Sequence, residues 1–198
     1  VIIAAHNEEE VIGKTVKAVL QNQNYPKDKL KVYVCAHNCK DRTATEAEKA
    51  GAKVYVLNDP DPDRGRVSYA LRYRRQQILK EDKDTEFFIR IDADNFLHPD
   101  FVRQRNNSIS GGAKIVRAYE AASNLKQNIW TETCALFYTK DSRLQNTFRQ
   151  AVHSTSRTPG PGLTFTREVA EKRNGWDAMG AAEDAEFCLN RLYDGYKC

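Results

Sequence analysis

At 198 residues the chain is long enough for one domain around a sizeable core. Hydrophobic residues make up 40% and charged residues 29%, and the longest apolar runs are strand-length, so nothing approaches the roughly 18 apolar residues of a membrane span. A net charge of +4 without a basic low-complexity tail argues against nucleic acid as a partner, and five cysteines in no regular framework fit reduced thiols in a cytosolic protein.

The chain opens at Val1 inside an apolar run and stops at Cys198 after a helix-like segment, so 1–198 is expected to be a single domain of a longer protein. Apolar runs predict strands at 1–5, 30–36, 53–57, 86–91 and 114–118, with helical patterns between most of them, which is the alternation of an α/β layered domain. After the first run, Asn7 and Glu10 have capping-box spacing, and Val11, Ile12, Val16, Val19 and Leu20 recur at helical intervals. Thr43 and Glu46 repeat the capping signal after the second run, with Gly51 as the stop. Residues 58–65 are rich in Asp and Pro and lead into a predicted helix over 67–80 that carries Arg72, Arg74 and Arg75. His98-Pro99-Asp100 predicts a helix start with Pro at the first position. From 121 to 158 the pattern is weak, Pro159-Gly160-Pro161-Gly162 is a turn or loop, and a last helix is predicted from Glu183 to Tyr193 with Gly195 as its stop.

Chemistry concentrates where strands end. In open α/β sheets ligands bind beyond the C-terminal ends of the strands, where helix N-termini present free N–H groups to anions. Ile91-Asp92-Ala93-Asp94-Asn95 delivers two carboxylates there, and alternate residues of an extended chain point the same way. Such a pair, near an arginine-bearing loop at Arg64 and Arg66, makes a hard oxygen site suited to Mg²⁺ or Mn²⁺ carrying a diphosphate; alone it also describes an Asp-rich surface turn. Glu183 and Asp184 open the last helix, where carboxylates favour the helix dipole, and in a cleft Asp184 is able to take a proton from an attacking hydroxyl.

Together these segments resemble the family 2 glycosyltransferases with the GT-A fold. The carrying residues are Ile2-Ile3-Ala4-Ala5-His6-Asn7-Glu8-Glu9, Asn38-Cys39-Lys40-Asp41-Arg42-Thr43, Arg64-Gly65-Arg66, Asp92-Ala93-Asp94, Gly175-Trp176-Asp177 and Glu183-Asp184. Each motif is short, but their order and spacing span nearly the whole chain. The resemblance implies a Rossmann-like, mainly parallel mixed sheet flanked by helices. It implies that Ala4, His6 and Glu8 lie against the nucleoside, Arg66 near the diphosphate, and Asp92 at the ribose or metal. Asp94 would ligate Mg²⁺ or Mn²⁺, Asp184 would be the catalytic base, and Glu183, Gly162 and Trp176 would border the acceptor.

The implied reaction is inverting transfer of a sugar from UDP-N-acetylglucosamine or UDP-glucose to a saccharide or lipid-linked acceptor. Relatives of this type are often joined to membrane helices, so the parent protein is expected in the cytoplasm at the inner face of the cell membrane. Two departures stand out. Family members commonly carry an Asp in the second turn that reads uracil, where this chain has Ala36-His37-Asn38, leaving His37 as the group at the base edge. Processive members carry a Gln-x-x-Arg-Trp segment after the acidic pair, and this chain stops before the place where one is expected. A nucleotidyltransferase shares paired Asp residues and Mg²⁺, but Ala5-His6-Asn7-Glu8 is not its glycine-rich phosphate loop; a non-catalytic sugar-nucleotide-binding module is the other rival.

Overall fold

The computed structural model describes residues 1–59, 76–123, 127–156, 160–174, 178 and 182–198. Strands β1 (Ile2–Ala5), β2 (Tyr33–His37), β3 (Lys53–Leu57) and β4 (Phe87–Asp92) run parallel. The short β6 (Thr164–Thr166) lies antiparallel between β4 and β5 (Ile115–Val116), and the sheet order is β3-β2-β1-β4-β6-β5. The expected α/β architecture with a mainly parallel sheet is therefore present. The central strands read as continuous apolar runs because both of their faces are covered; β2 is buried along its whole length.

Alternation along β4 sorts its side chains between two cores. Ile89, Ile91 and Ala93 face Ile12, Val16 and Val19 of α1 (Ile12–Asn22), Ala47 of α2 (Thr43–Lys49), and Phe101 and Val102 of α4 (Phe101–Ser110). Phe88 faces the opposite core, with Phe165 of β6, Ile78 of the helical stretch α3 (76–81), Val169 of α7 (Arg167–Glu171) and Phe187 of α8 (Glu183–Tyr193). Phe165 sits 5.9 Å from Phe88 and 5.5 Å from Phe187, ring centre to ring centre, an aromatic chain that fixes α8 against the sheet.

Helix starts depart from the capping spacing. α1 begins at Ile12 with no side-chain cap, while Asn7, at φ 57°, spends its Oδ1 on the Lys40 N–H across the next turn. Asn tolerates this left-handed conformation, and its side chain serves tertiary structure instead of its own helix. Thr43 is the first helical residue of α2, not its cap: Asp41 Oδ1 accepts from the Thr43 N–H at 3.0 Å, and Thr43 Oγ1 accepts from the Glu8 N–H at 2.7 Å. Pro99 likewise precedes the helix, which starts at Phe101 after Asp100.

In the region of weak pattern, α5 (Ile129–Thr139), a π-helical segment (Lys140–Gln145) and α6 (Asn146–Ala151) follow one another. Ile129, Trp130, Leu136, Phe137, Leu144 and Phe148 are exposed there, so no apolar stripe marks a buried face in the sequence. The predicted helix over 67–80 is described only over 76–81, its earlier part lying outside the described residues.

The order β2-β1-β4 makes the chain reverse direction across the sheet at β1 and β4, the switch point where a crevice opens beyond the strand ends. Ala4 pairs in register with both Cys35 and Asp92, so the turns after β1, β2 and β4 emerge at one level. Because Phe187 anchors α8 to this platform, Phe187→Ala is expected to lower the unfolding free energy by about 3–5 kcal/mol in urea titration, a cost well above that of an exposed residue such as Leu189.

Candidate active site

The β1 and β2 turns are laced together. Glu9 Oε2 accepts from the Arg42 N–H at 3.0 Å and Nε at 3.2 Å, and Asp41 Oδ2 accepts from the Glu9 N–H at 3.1 Å. His6 Nδ1 donates to the His37 carbonyl at 2.7 Å, and Asn7 Nδ2 stands 3.3 Å from His6 Nε2 as its donor. Asn38, also at positive φ, donates through Nδ2 to the Asp59 carbonyl at 3.0 Å and accepts from the Asp59 N–H at 2.8 Å. Asn38 thus ties the β2 turn to Asp59, the last described residue after β3. Cys39 Sγ lies against the Ala5 carbonyl at 3.5 Å and the His37 carbonyl at 3.7 Å.

The expected nucleoside side, Ala4, His6, Glu8 and His37, therefore assembles at the ends of β1 and β2. His37 is buried, and its Nε2 has no hydrogen-bond partner among the described residues. Burial, with His6 beside it, lowers the pKa of His37, so the ring is neutral at pH 7 and Nε2 is a donor or acceptor according to tautomer.

On β4 the alternation that buries Phe88 next presents Arg90 and then Asp92 on the same face. Asp92 receives the Asn95 side chain on its N–H at 2.9 Å, and the exposed Asp94 is 3.4 Å from Asn95 Nδ2, so Asn95 shapes the acidic turn. Ala93 turns inward, its carbonyl taking the Thr15 hydroxyl at 2.6 Å. Asp92 ends β4 and Asp94 lies exposed on the turn that follows, so the extended-chain alternation expected of this pair stops at Asp92.

Arg90, which sequence reasoning passed over, joins these carboxylates to α8. Its Nη1 donates to Asp184 Oδ1; its Nη2 lies 3.4 Å from Glu183 Oε1 and 3.6 Å from Asp92 Oδ1. The signal was available: an Arg in the middle of Phe87-Phe88-Ile89-Arg90-Ile91 breaks a run otherwise fit for burial, and a buried charge requires partners. Burial pushes the Asp184 carboxyl up to about 6, against the pull of Arg90, and Asp92 is raised by burial as well.

The loop at Gly160–Leu163, expected on the acceptor side, packs against this group. The Gly162 N–H donates to the Arg90 carbonyl at 2.7 Å, and the Arg90 N–H donates to the Leu163 carbonyl at 2.8 Å. Gly162 has φ 74°, and Gly160 lies so close that a Cβ there would run into Arg90 Nη1 and Asp184 Oδ2. Nearby Glu120 is pushed by burial up to about 7, and its Oε1 is buried with no partner among the described residues. The expected site residues Arg66 and Trp176 lie outside the described residues.

A parallel-sheet switch point edged with paired carboxylates and facing a second acidic helix start defines a GT-A nucleotide-sugar domain. Residues 1–197 match the family described as glycosyltransferase like family 2, and the chain belongs to that family. It is similar to the probable glycosyltransferase YdaM of Bacillus subtilis, at 28% identity over 99% of this chain and 47% of that protein. It is also similar to the beta-monoglucosyldiacylglycerol synthase of a Nostoc species, at 26% identity over 98% of this chain and 41% of that protein. The chain thus spans less than half the length of these two relatives.

Among solved structures, the mannosyltransferase PcManGT of Pyrobaculum calidifontis, in complex with GDP-Man and Mn²⁺, superposes with a TM-score of 0.67 at 18% identity, over 99% of this chain and 52% of that one. The glucosyl-3-phosphoglycerate synthase of Mycobacterium tuberculosis, in complex with Mn²⁺, UDP and phosphoglyceric acid, superposes with a TM-score of 0.62 at 16% identity, over 98% of this chain and 63% of that one. Both likenesses establish the GT-A fold.

Gly160→Ala is expected to displace the Arg90–Asp184 pair while leaving the β1 and β2 turns intact. Donor turnover should fall about 100-fold, the scale of an ångström-sized misplacement, with nucleotide binding by calorimetry unchanged.

Proposed function

We propose that the chain is the donor-binding catalytic domain of an inverting glycosyltransferase, moving a hexose or N-acetylhexosamine from a UDP-sugar to a saccharide or lipid-linked acceptor. One observation carries this reading: Asp92 at the β4 end and Asp184 at the α8 start meet at the switch point through a common partner, Arg90. Acidic groups for the donor side and for the acceptor side are thereby held within one crevice.

The donor set fits a divalent cation of the hard type. Among the described residues no group of three or more His, Cys, Asp or Glu side chains is arranged to hold a metal ion. Asp92 and Asp94 alone suit Mg²⁺ or Mn²⁺, which keep several waters and are completed by substrate phosphates, whereas a structural zinc site would need about four protein ligands. Bound there, such an ion supplies Lewis-acid neutralisation of the departing diphosphate. The turns of β1 and β2 hold the nucleoside, with the buried His37 behind the base edge. Asp184 takes the proton from the acceptor hydroxyl, whose oxygen displaces the nucleoside diphosphate from the opposite face of the anomeric carbon. One displacement inverts the configuration there.

A GDP-sugar is the second reading, opened by His37 standing where an Asp is expected and in keeping with the GDP-Man bound to PcManGT. For the parent protein we place the reaction at the cytoplasmic face of the cell membrane. That placement draws support from the glycolipid named for the Nostoc relative, while no described helix of this chain is long and apolar enough to cross a bilayer.

Calorimetry with UDP and GDP tests the donor site: binding should require Mn²⁺ or Mg²⁺, vanish with chelator, and weaken at least about tenfold in Asp94→Ala, the scale of losing one charge-assisted ligand. Failure of both nucleotides to bind would sink the proposal, and release of pyrophosphate instead of nucleoside diphosphate would move it to nucleotidyl chemistry. Asp184→Asn should bind nucleotide normally and turn over about 10²–10⁴-fold more slowly.

The Asp184 carboxyl is raised from 3.8 to about 6, so turnover should fall as pH drops through about 6 and the base becomes protonated. Stability runs the other way. The folded state holds this proton more tightly than the unfolded chain, so the group's contribution to stability is lost as pH rises from 4 to 6. Asp184→Asn should flatten that stability slope in pH-dependent urea unfolding.

A further inference from the structure

We propose, on the footing of the transfer reaction above, that Arg90 is a positioning residue for the base, fixing which oxygen of Asp184 takes the acceptor's proton. Three features of the fold converge on it. Its guanidinium is buried and donates to Asp184 Oδ1 from Nη1, while Nη2 is shared between Glu183 Oε1 at 3.4 Å and Asp92 Oδ1 at 3.6 Å. Its backbone holds the acceptor loop through the Gly162 N–H at 2.7 Å and the Leu163 carbonyl at 2.8 Å. Finally, α8 starts at Glu183 after Ala182, whose side chain caps none of the helix N–H groups, so the Arg90 contact bears on the very turn that carries the base.

The geometry divides the two oxygens of Asp184. Oδ1 is engaged by Arg90, and Oδ2 abuts Gly160, where a Cβ would collide with it. Oδ2 therefore faces the Gly160–Leu163 loop, which the family resemblance puts beside the acceptor. In the reaction the acceptor O–H proton passes to Oδ2, the hydroxyl oxygen forms the new bond to the anomeric carbon, and the bond to the diphosphate breaks with its electron pair leaving on the nucleoside diphosphate. Throughout, Arg90 keeps Oδ1 occupied, so the carboxylate cannot rotate away. A planar guanidinium reaches three carboxylates on two elements at once, and an ammonium does this poorly.

A double-mutant cycle in the full-length protein tests this, with UDP-glucose, UDP-N-acetylglucosamine and GDP-mannose as donors and nucleoside diphosphate release as the readout. Arg90→Met should lower kcat about 100-fold, while the donor KM and the calorimetric Kd of Mn²⁺-UDP or Mn²⁺-GDP move less than about threefold. Since both residues act in one step, Arg90→Met/Asp184→Asn should be no slower than Asp184→Asn alone, and Arg90→Lys should recover part of kcat. Multiplying losses, a wild-type kcat in Arg90→Met, or a defect confined to KM and Kd would each overturn the proposal. If Arg90→Met does not fold, the same cycle is run with Arg90→Lys. An inactive Asp184→Asn beside a fully active Arg90→Met defeats only the positioning role. Full turnover in Asp184→Asn defeats the base assignment beneath it. Should no donor be turned over by the wild type, the proposed function fails, and urea midpoints of the four proteins then decide whether Arg90 and Asp184 are coupled at all; additive midpoints overturn the contact.

Discussion

A guanidinium buried in a parallel sheet is expensive unless carboxylates surround it, and the architecture around the crevice follows from meeting that demand at Arg90. β4 must be long enough to carry an apolar residue into the core, a cation above it and an acid at its mouth, and Phe88, Arg90 and Asp92 are that series. α8 must arrive with its first turn at the same height, which the contact of Phe187 with Phe165 ensures, since Glu183 lies four residues before Phe187 and so shares its face. The connecting loop must approach without side chains, hence Gly160 and Gly162. Removing one partner from such a buried group costs about 3–5 kcal/mol, several times the worth of an exposed ion pair. The cluster is consequently a fixed point of the fold, and its acidic members are held at the crevice whether or not a ligand is bound.

The nucleotide half of the crevice is rigidified by different means. There, backbone N–H groups of one turn are received by side chains of the other: Glu8 by Thr43, Glu9 by Asp41, Arg42 by Glu9, Lys40 by Asn7. Each such bond contributes about 1 kcal/mol, but together they lock two otherwise independent strand ends into one surface. This preorganisation lowers the entropy cost of ordering loops when a nucleotide binds. Two residues at positive φ, Asn7 and Asn38, make the reversals possible and supply the side chains that span them.

Much of this was legible in the sequence, and the rest was hidden for identifiable reasons. Strands β1, β2 and β4 announced themselves because central parallel strands are apolar on both faces; the edge strand β3 and α8 fall at the expected residues. The strand β6 is three residues long beside a Pro-Gly segment, too short for any period to register. α5 and α6 expose their apolar side chains, so the helical stripe that sequence reading relies on is missing. The capping boxes were misassigned because Asn7 and Thr43 satisfy N–H groups across turns, a tertiary use that a spacing rule does not see. The acidic motifs at Asp92, Asp94, Glu183 and Asp184 were visible as residues, but what couples them was not. Charge in the middle of an apolar strand was the available signal.

The environments of the carboxylates also divide their labour. Asp94 is exposed on a turn shaped by Asn95, where water and a cation's own hydration compete on easy terms, as the proposed role of a ligand that binds and releases with the donor requires. Asp184 is withdrawn from solvent and raised to about 6 by burial, even with Arg90 beside it, which places it close to the working range of a general base at neutral pH. Two acids separated in this manner take different tasks without interchange, because the environment and not the residue type sets proton affinity. Arg90 moderates the contrast: without it burial would hold Asp184 protonated to higher pH, and without burial the carboxylate would be too weak a base. The useful proton affinity comes from the balance of the two.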